Sequence, residues 1–336
     1  MDRELSSKIS VISVISTIMV VYRHSLNYFA FFGSGNSNHF NIFVQNGVMT
    51  FTEVAVPIFF IISGYFFFRK PILSIHDYFA MLRKKTNTLV IPFAFWNIVG
   101  LFILILSHEI LINGIVTHPL NIFIKFLKSD YYAPLWYVQN LILYMILSPI
   151  FFWLLKSNMR ILLYIVLIIE FFLWRPVDCY WFSSEGVLFF TIGGILQNSY
   201  LRSNTLNNYF FLFVILFFFL WIFISFGNFV WSNIYIHKFN TLLGVTCFWF
   251  ILNYLPKFIE SMFFKISVYS FIIYCSHFYI LKTLKIGIAH FYFNNNIVSL
   301  ISFLVLPIIT IVIILLIVKP IKKIIPNAYK IVTGNR

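Results

Sequence analysis

Ile9-Ser-Val-Ile-Ser-Val-Ile-Ser-Thr-Ile-Met-Val-Val-Tyr-Arg-His24 is an apolar run of helical length with one polar line drawn through it. A membrane-spanning helix needs roughly 20 mostly apolar residues, and the stretch from 8 to 30 supplies them. Ser6, Ser10, Ser13, Thr17 and His24 recur at spacings of four, three, four and seven. At about 100° per residue they share one narrow stripe; Ile, Val, Met and Tyr fill the other faces. A stripe closed by an imidazole can be the wall of a wet groove. It can equally be a row of hydroxyls bonded back to their own helix carbonyls, with His24 packed near the interface. Both readings stand at this point. Both signs of charge precede the run, and no small-residue cleavage site follows it, so it reads as a retained span.

Working outward, the same pattern recurs along the chain. Apolar segments near 8–30, 47–68, 88–107, 134–155, 160–175, 181–199, 208–227, 240–256, 266–283 and 297–318 are each candidates to cross a bilayer. The mixed stretch Leu111–Lys128 reads as an interfacial or re-entrant helix. Composition agrees: 61% of the 336 residues are hydrophobic and 10% are charged, and the mean hydropathy is +0.91. Soluble domains carry roughly 25% charge, so a chain this apolar is neither a soluble globule nor disordered. The expected class is all-α: a polytopic membrane helical bundle of about ten transmembrane helices. One integral-membrane domain over 1–336, with no appended soluble domain, is the expected organisation.

The net charge of +14 is explained by topology without invoking nucleic acid. With the N-terminus inside, 17 of the 24 Lys and Arg residues fall on the cytoplasmic side and 7 on the outer side. That excess orients membrane helices and places both termini in the cytoplasm. The longest polar connections, 31–46 and 107–133, then lie outside. Cys179, Cys247 and Cys275 are too few and too scattered for a disulfide framework. No His or Cys pair has metal-ligand spacing, so no metal site is expected. Nucleotide-binding glycine loops and the GxSxG elbow are absent.

Other polar residues stand out against this background. Ser267, Ser270, Tyr274 and His277 share a helix face, although Tyr and His near a span end are ordinary interfacial residues. Glu53 opens the second span. Ser63-Gly64 and Gly193-Gly194 mark close helix–helix approach. Glu170 lies near Arg175, where a local ion pair is its expected use. Arg69-Lys70 and Arg83-Lys84-Lys85 form an inner basic cluster. It either enforces orientation and touches anionic lipid, or holds a phosphate-bearing ligand.

Read together, four blocks resemble acyltransferase family 3, the multi-pass bacterial enzymes that O-acylate cell-surface sugars. They are Thr17-Ile-Met-Val-Val-Tyr-Arg-His24; Val56-Pro-Ile-Phe-Phe-Ile-Ile-Ser-Gly-Tyr-Phe66; Arg83-Lys-Lys-Thr-Asn-Thr-Leu-Val-Ile-Pro-Phe93 with Trp96; and Pro134-Leu-Trp-Tyr-Val-Gln-Asn-Leu-Ile142. A fifth, weaker block is Ser270-Phe-Ile-Ile-Tyr274 with His277. The chain departs from the family pattern at Ser13, where Arg is common, at Gln139, where Arg or Lys is frequent, and at Lys85, where Arg is usual.

The resemblance implies an enzyme of the bacterial cytoplasmic (inner) membrane. It would move an acyl group, most often acetyl, from cytoplasmic acyl-CoA to a sugar hydroxyl of a lipid-linked or surface glycan such as O-antigen. It assigns His24 as general base. It places the CoA phosphates on Arg69, Lys70, Arg83, Lys84 and Lys85, and makes Ser13, Ser63, Trp136 and His277 candidate pocket residues. Acyl-CoA is a donor substrate here, not a resident cofactor; the other expected partners are the glycan and membrane lipid. His24 lies about 22 Å along its helix from Ile9, so the acyl arm is expected to thread the bundle from the cytoplasmic side. A polytopic glycan transporter or flippase is the competing reading. A polysaccharide polymerase is disfavoured by the few Arg residues in the outer loops.

Overall fold

The chain turns its apolar side chains outward and many polar ones inward. Ile161, Phe172, Leu216, Phe219, Ile297 and Leu316 are more than half exposed, whereas Asn27, Asn41, Gln45, Asn97, Asn140, His277, Ser299 and Thr310 are buried. In water such a surface would aggregate; in lipid it is the favourable one, because polar groups must find partners inside the bundle. The protein is therefore a multi-pass membrane protein.

The computed structural model describes residues 3–33, 37–70, 72–107, 119–155, 159–173, 182–198, 208–227, 230 and 233–334. Among these residues there is helix and no strand. The longer α-helices are α1 (Arg3–Arg23), α2 (Tyr28–Phe32), α3 (His39–Thr52), α4 (Ala55–Phe67), α5 (Ile75–Lys85), α6 (Ile91–Leu106), α7 (Pro119–Leu127), α8 (Trp136–Ile146), α9 (Ser148–Leu154) and α10 (Arg160–Leu173). They continue as α11 (Ser184–Asn198), α12 (Asn208–Phe226), α13 (Ile234–Ile251), α14 (Lys257–Ser267), α15 (Ser270–Phe291), α16 (Asn296–Ile324) and α17 (Pro326–Thr333).

Each of the ten expected apolar segments falls on helix, but length separates them. Among the described residues, six continuous runs are long and apolar enough to cross a bilayer: Leu5–Phe32, His39–Phe67, Ile75–Leu106, Ile234–Tyr254, Ser270–Phe291 and Asn296–Ile324. A seventh results if α8 and α9, bent by 66° against each other, count as one span. Pro149 opens α9 at that bend, where it removes a backbone donor. The apolar helices Ile161–Leu173 and Phe211–Phe226 are shorter, and α11 has 15 residues. The connection expected at 31–46 is a loop only in part, since α3 begins at His39 under an Asn38 cap. Of Leu111–Lys128, the end from 119 is helical as α7; 111–118 lie outside the described residues. So do Arg175, the expected partner of Glu170, and Cys179.

The chain divides into two compact units. The first holds Met1–Phe59 and Leu201–Pro320. Within it α1 packs on α14, α15 and α3, and α12 packs on α13 and α3. Small residues set these distances. A Cβ on Gly47 would fall 2.2 Å from the Phe226 ring, and one on Gly244 would fall 2.5 Å from Trp221. Trp221 is wholly buried and stacks on Phe51 with ring centroids 4.1 Å apart.

The second unit holds Phe60–Tyr200 and Ile321–Arg336. Here α4 and α11 meet backbone to backbone. A Cβ on Gly64 would lie 2.0 Å from the Phe190 carbonyl oxygen, and one on Gly193 would lie 2.2 Å from that of Ile61. Asn140 joins α8 to the start of α11: its Oδ1 accepts from Ser183 N–H at 2.7 Å, while Tyr144 donates to the Ser183 carbonyl, also at 2.7 Å. The indole of Trp96 donates to the Val332 carbonyl at 3.2 Å and so ties α17 to α6.

Candidate functional site

His24 closes the turn that ends α1. Its main-chain N–H still bonds to Val20 at 3.2 Å, and the next residue, Ser25, bonds to Tyr22 at 3.0 Å. The residue as a whole is partly exposed. Its ring lies 5.2 Å, centroid to centroid, from the ring of His277 on α15, tilted by 42°. The ring of Phe278 meets it edge-on at 5.3 Å. Two histidines 253 positions apart are thus brought together within the first unit. His277 is fully buried, and its Nδ1 faces the carbonyls of Tyr274 and Ile273 at 2.8 and 3.2 Å. Carbonyls only accept, so Nδ1 carries the hydrogen and Nε2 holds a lone pair. That Nε2 is buried and makes no hydrogen bond.

Three sets of contacts hold the end of α1 in place. Lys285, two turns further along α15 from His277, donates to the carbonyls of Leu26 at 2.7 Å and His24 at 3.3 Å. A cation at a helix C-terminus is favourable, since the last carbonyls lack partners and carry the negative end of the dipole. Arg23 is gripped from the other side. It donates to Glu53 at 2.9 Å and to the Met49 carbonyl at 3.2 Å. His237 of α13 approaches the second Glu53 oxygen at 3.3 Å. Finally, Asn27 is knotted to Gln45 and Ser299 through four hydrogen bonds of 2.8–2.9 Å. A side chain whose backbone is pinned this way loses little freedom when it acts, which is the requirement for precise positioning.

The hydroxyls of the α1 stripe bond back to their own helix. Ser10, Ser13 and Thr17 donate to the carbonyls four residues back at 3.0, 2.9 and 2.7 Å. Ser13 stands about 16 Å along the helix from His24 and is not part of the histidine pair.

Ser63 and Trp136 belong to the second unit. Ser63 shares a 2.7 Å hydrogen bond with the hydroxyl of Tyr137; Trp136 lies 6.1 Å from the ring of Phe60. The basic residues also lie in this unit. Arg69 and Lys70 occupy the turn after α4 and are exposed; Arg83, Lys84 and Lys85 form the last turn of α5. Lys85 points over the ring of Phe67 at 5.9 Å, which joins the two basic segments.

Glu53, His237, Lys285 and Asn27 were not assigned to the site by sequence. The sequence reading gives Glu53 only as a residue opening a span and assigns Arg23 no role. A lone carboxylate among apolar helices is a standing signal for a buried partner, and opposite charges at Arg23 and Glu53 carried it. Among the described residues no group of three His, Cys, Asp or Glu side chains is placed to hold a metal ion.

Compared with known families, the chain matches the acyltransferase family 3 model, described as an acyltransferase domain, over residues 8–318. No curated protein and no solved structure matches it.

Proposed function

The chain belongs to this acyltransferase family and is an acyltransferase of the membrane; from that premise we propose that it O-acetylates a glycan, with His24 as general base. The observation that carries this reading is the state of the His24 ring. It rests against His277, and the turn that carries it is held by Lys285, Arg23 and Asn27. A neutral imidazole keeps a lone pair on one ring nitrogen and can accept a proton there.

The donor in this proposal is acetyl-CoA and the acceptor is a sugar hydroxyl of a lipid-linked or surface polysaccharide such as O-antigen, at the bacterial inner membrane. The hydroxyl oxygen attacks the thioester carbonyl while His24 takes the hydroxyl proton. The tetrahedral adduct then collapses: the C–S bond breaks, the CoA sulfur leaves, and the proton held by His24 passes to it. An acetyl ester and free CoA result. General-base help of this kind contributes typically 10²–10⁴-fold. Arg69, Lys70, Arg83, Lys84 and Lys85 are assigned to the CoA phosphates, whose geometry suits guanidinium and ammonium donors. Ser63, Trp136 and Ser13 remain candidates for contact with substrate. Membership of an acyltransferase family leaves the transporter reading without support.

The test has two arms. Surface polysaccharide from cells with and without the gene is compared by mass spectrometry; a difference of one acetyl group per modified sugar is expected, and identical spectra would refute the reaction. Purified protein is then given acetyl-CoA labelled in its acetyl group, with polysaccharide from the deletion strain as acceptor. Label transfer is expected from the native protein and not from His24→Ala, with both inserted in membranes at equal levels. Undiminished transfer by His24→Ala would remove it as the base.

A further inference from the structure

An imidazole base works only if the nitrogen facing its substrate holds the lone pair. Nothing on His24 alone decides which of its two nitrogens that is, since the neutral ring exists as either tautomer. We propose that His277 is the positioning residue that makes this choice: its Nε2 accepts the N–H of whichever His24 nitrogen faces it, and the opposite nitrogen is thereby left as the base.

Three observations support the assignment. First, the tautomer of His277 is set by its own helix. Nδ1 has two carbonyl oxygens in front of it, from Tyr274 and Ile273, so its hydrogen is committed there. Second, the remaining Nε2 is a buried acceptor without a partner. Leaving such a group unsatisfied costs about 1–3 kcal/mol, so the site calls for a donor. Third, the imidazole of His24 lies against the His277 ring, at 5.2 Å between centroids. A ring nitrogen sits a little over an ångström from its centroid, so an N–H···N contact of ordinary length, about 2.9–3.0 Å, spans close to that separation. Rotation of the His24 ring completes the bond. Catalytic hydrogen bonds are often loose before substrate arrives and tighten in the working complex.

The proton inventory closes. In the resting pair, His24 has one ring hydrogen, directed at His277, and one lone pair. When the sugar hydroxyl attacks, its proton moves to that lone pair and His24 becomes an imidazolium. The hydrogen shared with His277 stays on His24, and Nε2 of His277 stabilises the positive ring without itself being protonated. Passing the new proton to the CoA sulfur restores the starting state. This is the task that an acidic partner performs for the histidine of hydrolytic triads, done here by a neutral acceptor suited to a buried place.

The inference rests on His24 being the base, so its test separates the two claims. His277→Phe keeps a ring and removes the acceptor; His277→Gln retains an acceptor oxygen near the place of Nε2. Acetyl transfer from acetyl-CoA should lose about 10–100-fold in kcat in His277→Phe, as is typical when an orienting partner is removed, with KM for acetyl-CoA unchanged. His277→Gln should recover part of that loss. Wild-type kcat in His277→Phe, or Gln no better than Phe, would overturn the inference while leaving His24 as base. Ring ¹⁵N chemical shifts of the native protein give a reading independent of activity and of mutant folding. They should show hydrogen on Nδ1 and a lone pair on Nε2 of His277, with His24 in a single tautomer. A native His277 bearing its hydrogen on Nε2 would refute the assignment even if acetyl transfer were normal. If the native protein transferred no acetyl group, the proposed function would fall and the nitrogen shifts would still judge the pair.

Discussion

The amides of Asn27 and Gln45 face each other and exchange hydrogen bonds. The main-chain N–H of Asn27 donates to Gln45 Oε1 at 2.9 Å, and Gln45 Nε2 returns a bond to Asn27 Oδ1 at 2.8 Å. Both residues are essentially without exposure. Gln45 also reaches Asn41 at 2.8 Å, and Ser299 closes the knot from α16. The consequence lies three residues upstream, since the turn carrying His24 cannot drift while Asn27 is held.

Gln45→Leu removes both halves of that exchange at nearly constant volume and strands the Asn27 N–H. Unsatisfied buried groups cost about 1–3 kcal/mol. Interhelical hydrogen bonds in membranes average nearer 0.6 kcal/mol, because the unfolded chain also finds partners there. A loss of about 1–2 kcal/mol is therefore expected, read as a lowered midpoint of thermal unfolding in detergent. If His24 is the base, transfer should fall in kcat with KM for acetyl-CoA unmoved, because the knot orders the His24 turn and includes none of the residues assigned to CoA.

Glu53→Gln leaves Arg23 without its counter-charge. The two side chains are 26% and 16% exposed, so water screens part of the penalty that a wholly buried charge would suffer. A destabilisation of about 1–3 kcal/mol is expected. Removing both charges together, as Arg23→Met with Glu53→Leu, should restore most of the stability, since the pair costs its own desolvation. A double variant no more stable than Glu53→Gln would mean that the carboxylate serves something besides Arg23.

How far these relationships could be read beforehand differs from residue to residue. The helix of α1 and the common face of its Ser and Thr residues follow from periodicity alone. Periodicity marks a face and does not say what the face touches, so the hydroxyls of Ser13 and Thr17 could be grooved or back-bonded until their partners were seen. The first half of α3 reads as a loop in the sequence for a physical reason. Its Asn41, Gln45 and Asn46 depress hydropathy, so the segment resembles an outer loop, yet Asn41 and Gln45 are satisfied by other buried amides and by the hydroxyls of Ser37 and Ser299. His24 and His277 were each recognisable, but their pairing crosses most of the chain and has no local signature. His237 and Lys285 were hidden by the same distance: each reads as an ordinary interfacial residue until Glu53 or the end of α1 is placed beside it.

Arg83 and Lys84 are exposed at the end of α5, so replacing them with Gln should leave folding untouched. If they hold CoA phosphates, each substitution removes a charge-assisted hydrogen bond, which is worth about 1.5–3 kcal/mol. KM for acetyl-CoA should then rise roughly tenfold or more per residue with kcat preserved, and raising the salt concentration should erode the native protein's advantage. Unchanged KM in the double variant would assign these side chains to lipid headgroups or to topology alone.

Gly64 and Gly287 make opposite predictions for the same change to Ala. At Gly64 the new methyl would stand 2.0 Å from the carbonyl oxygen of Phe190. The obstacle is backbone, which has no rotamer to offer, so α4 and α11 must separate. Overpacking of this kind costs about 1–3 kcal/mol or more, and Ser63, next in the chain, would lose its alignment with Tyr137. At Gly287 a Cβ meets nothing within 4 Å, and the position is helical and exposed. Ala there should stabilise by roughly 0.5–1 kcal/mol, because glycine gives up more backbone freedom in a helix. Thermal unfolding of the two variants in the same detergent should therefore shift in opposite directions. A tolerated Gly64→Ala would show that close backbone contact between α4 and α11 is dispensable to the second unit.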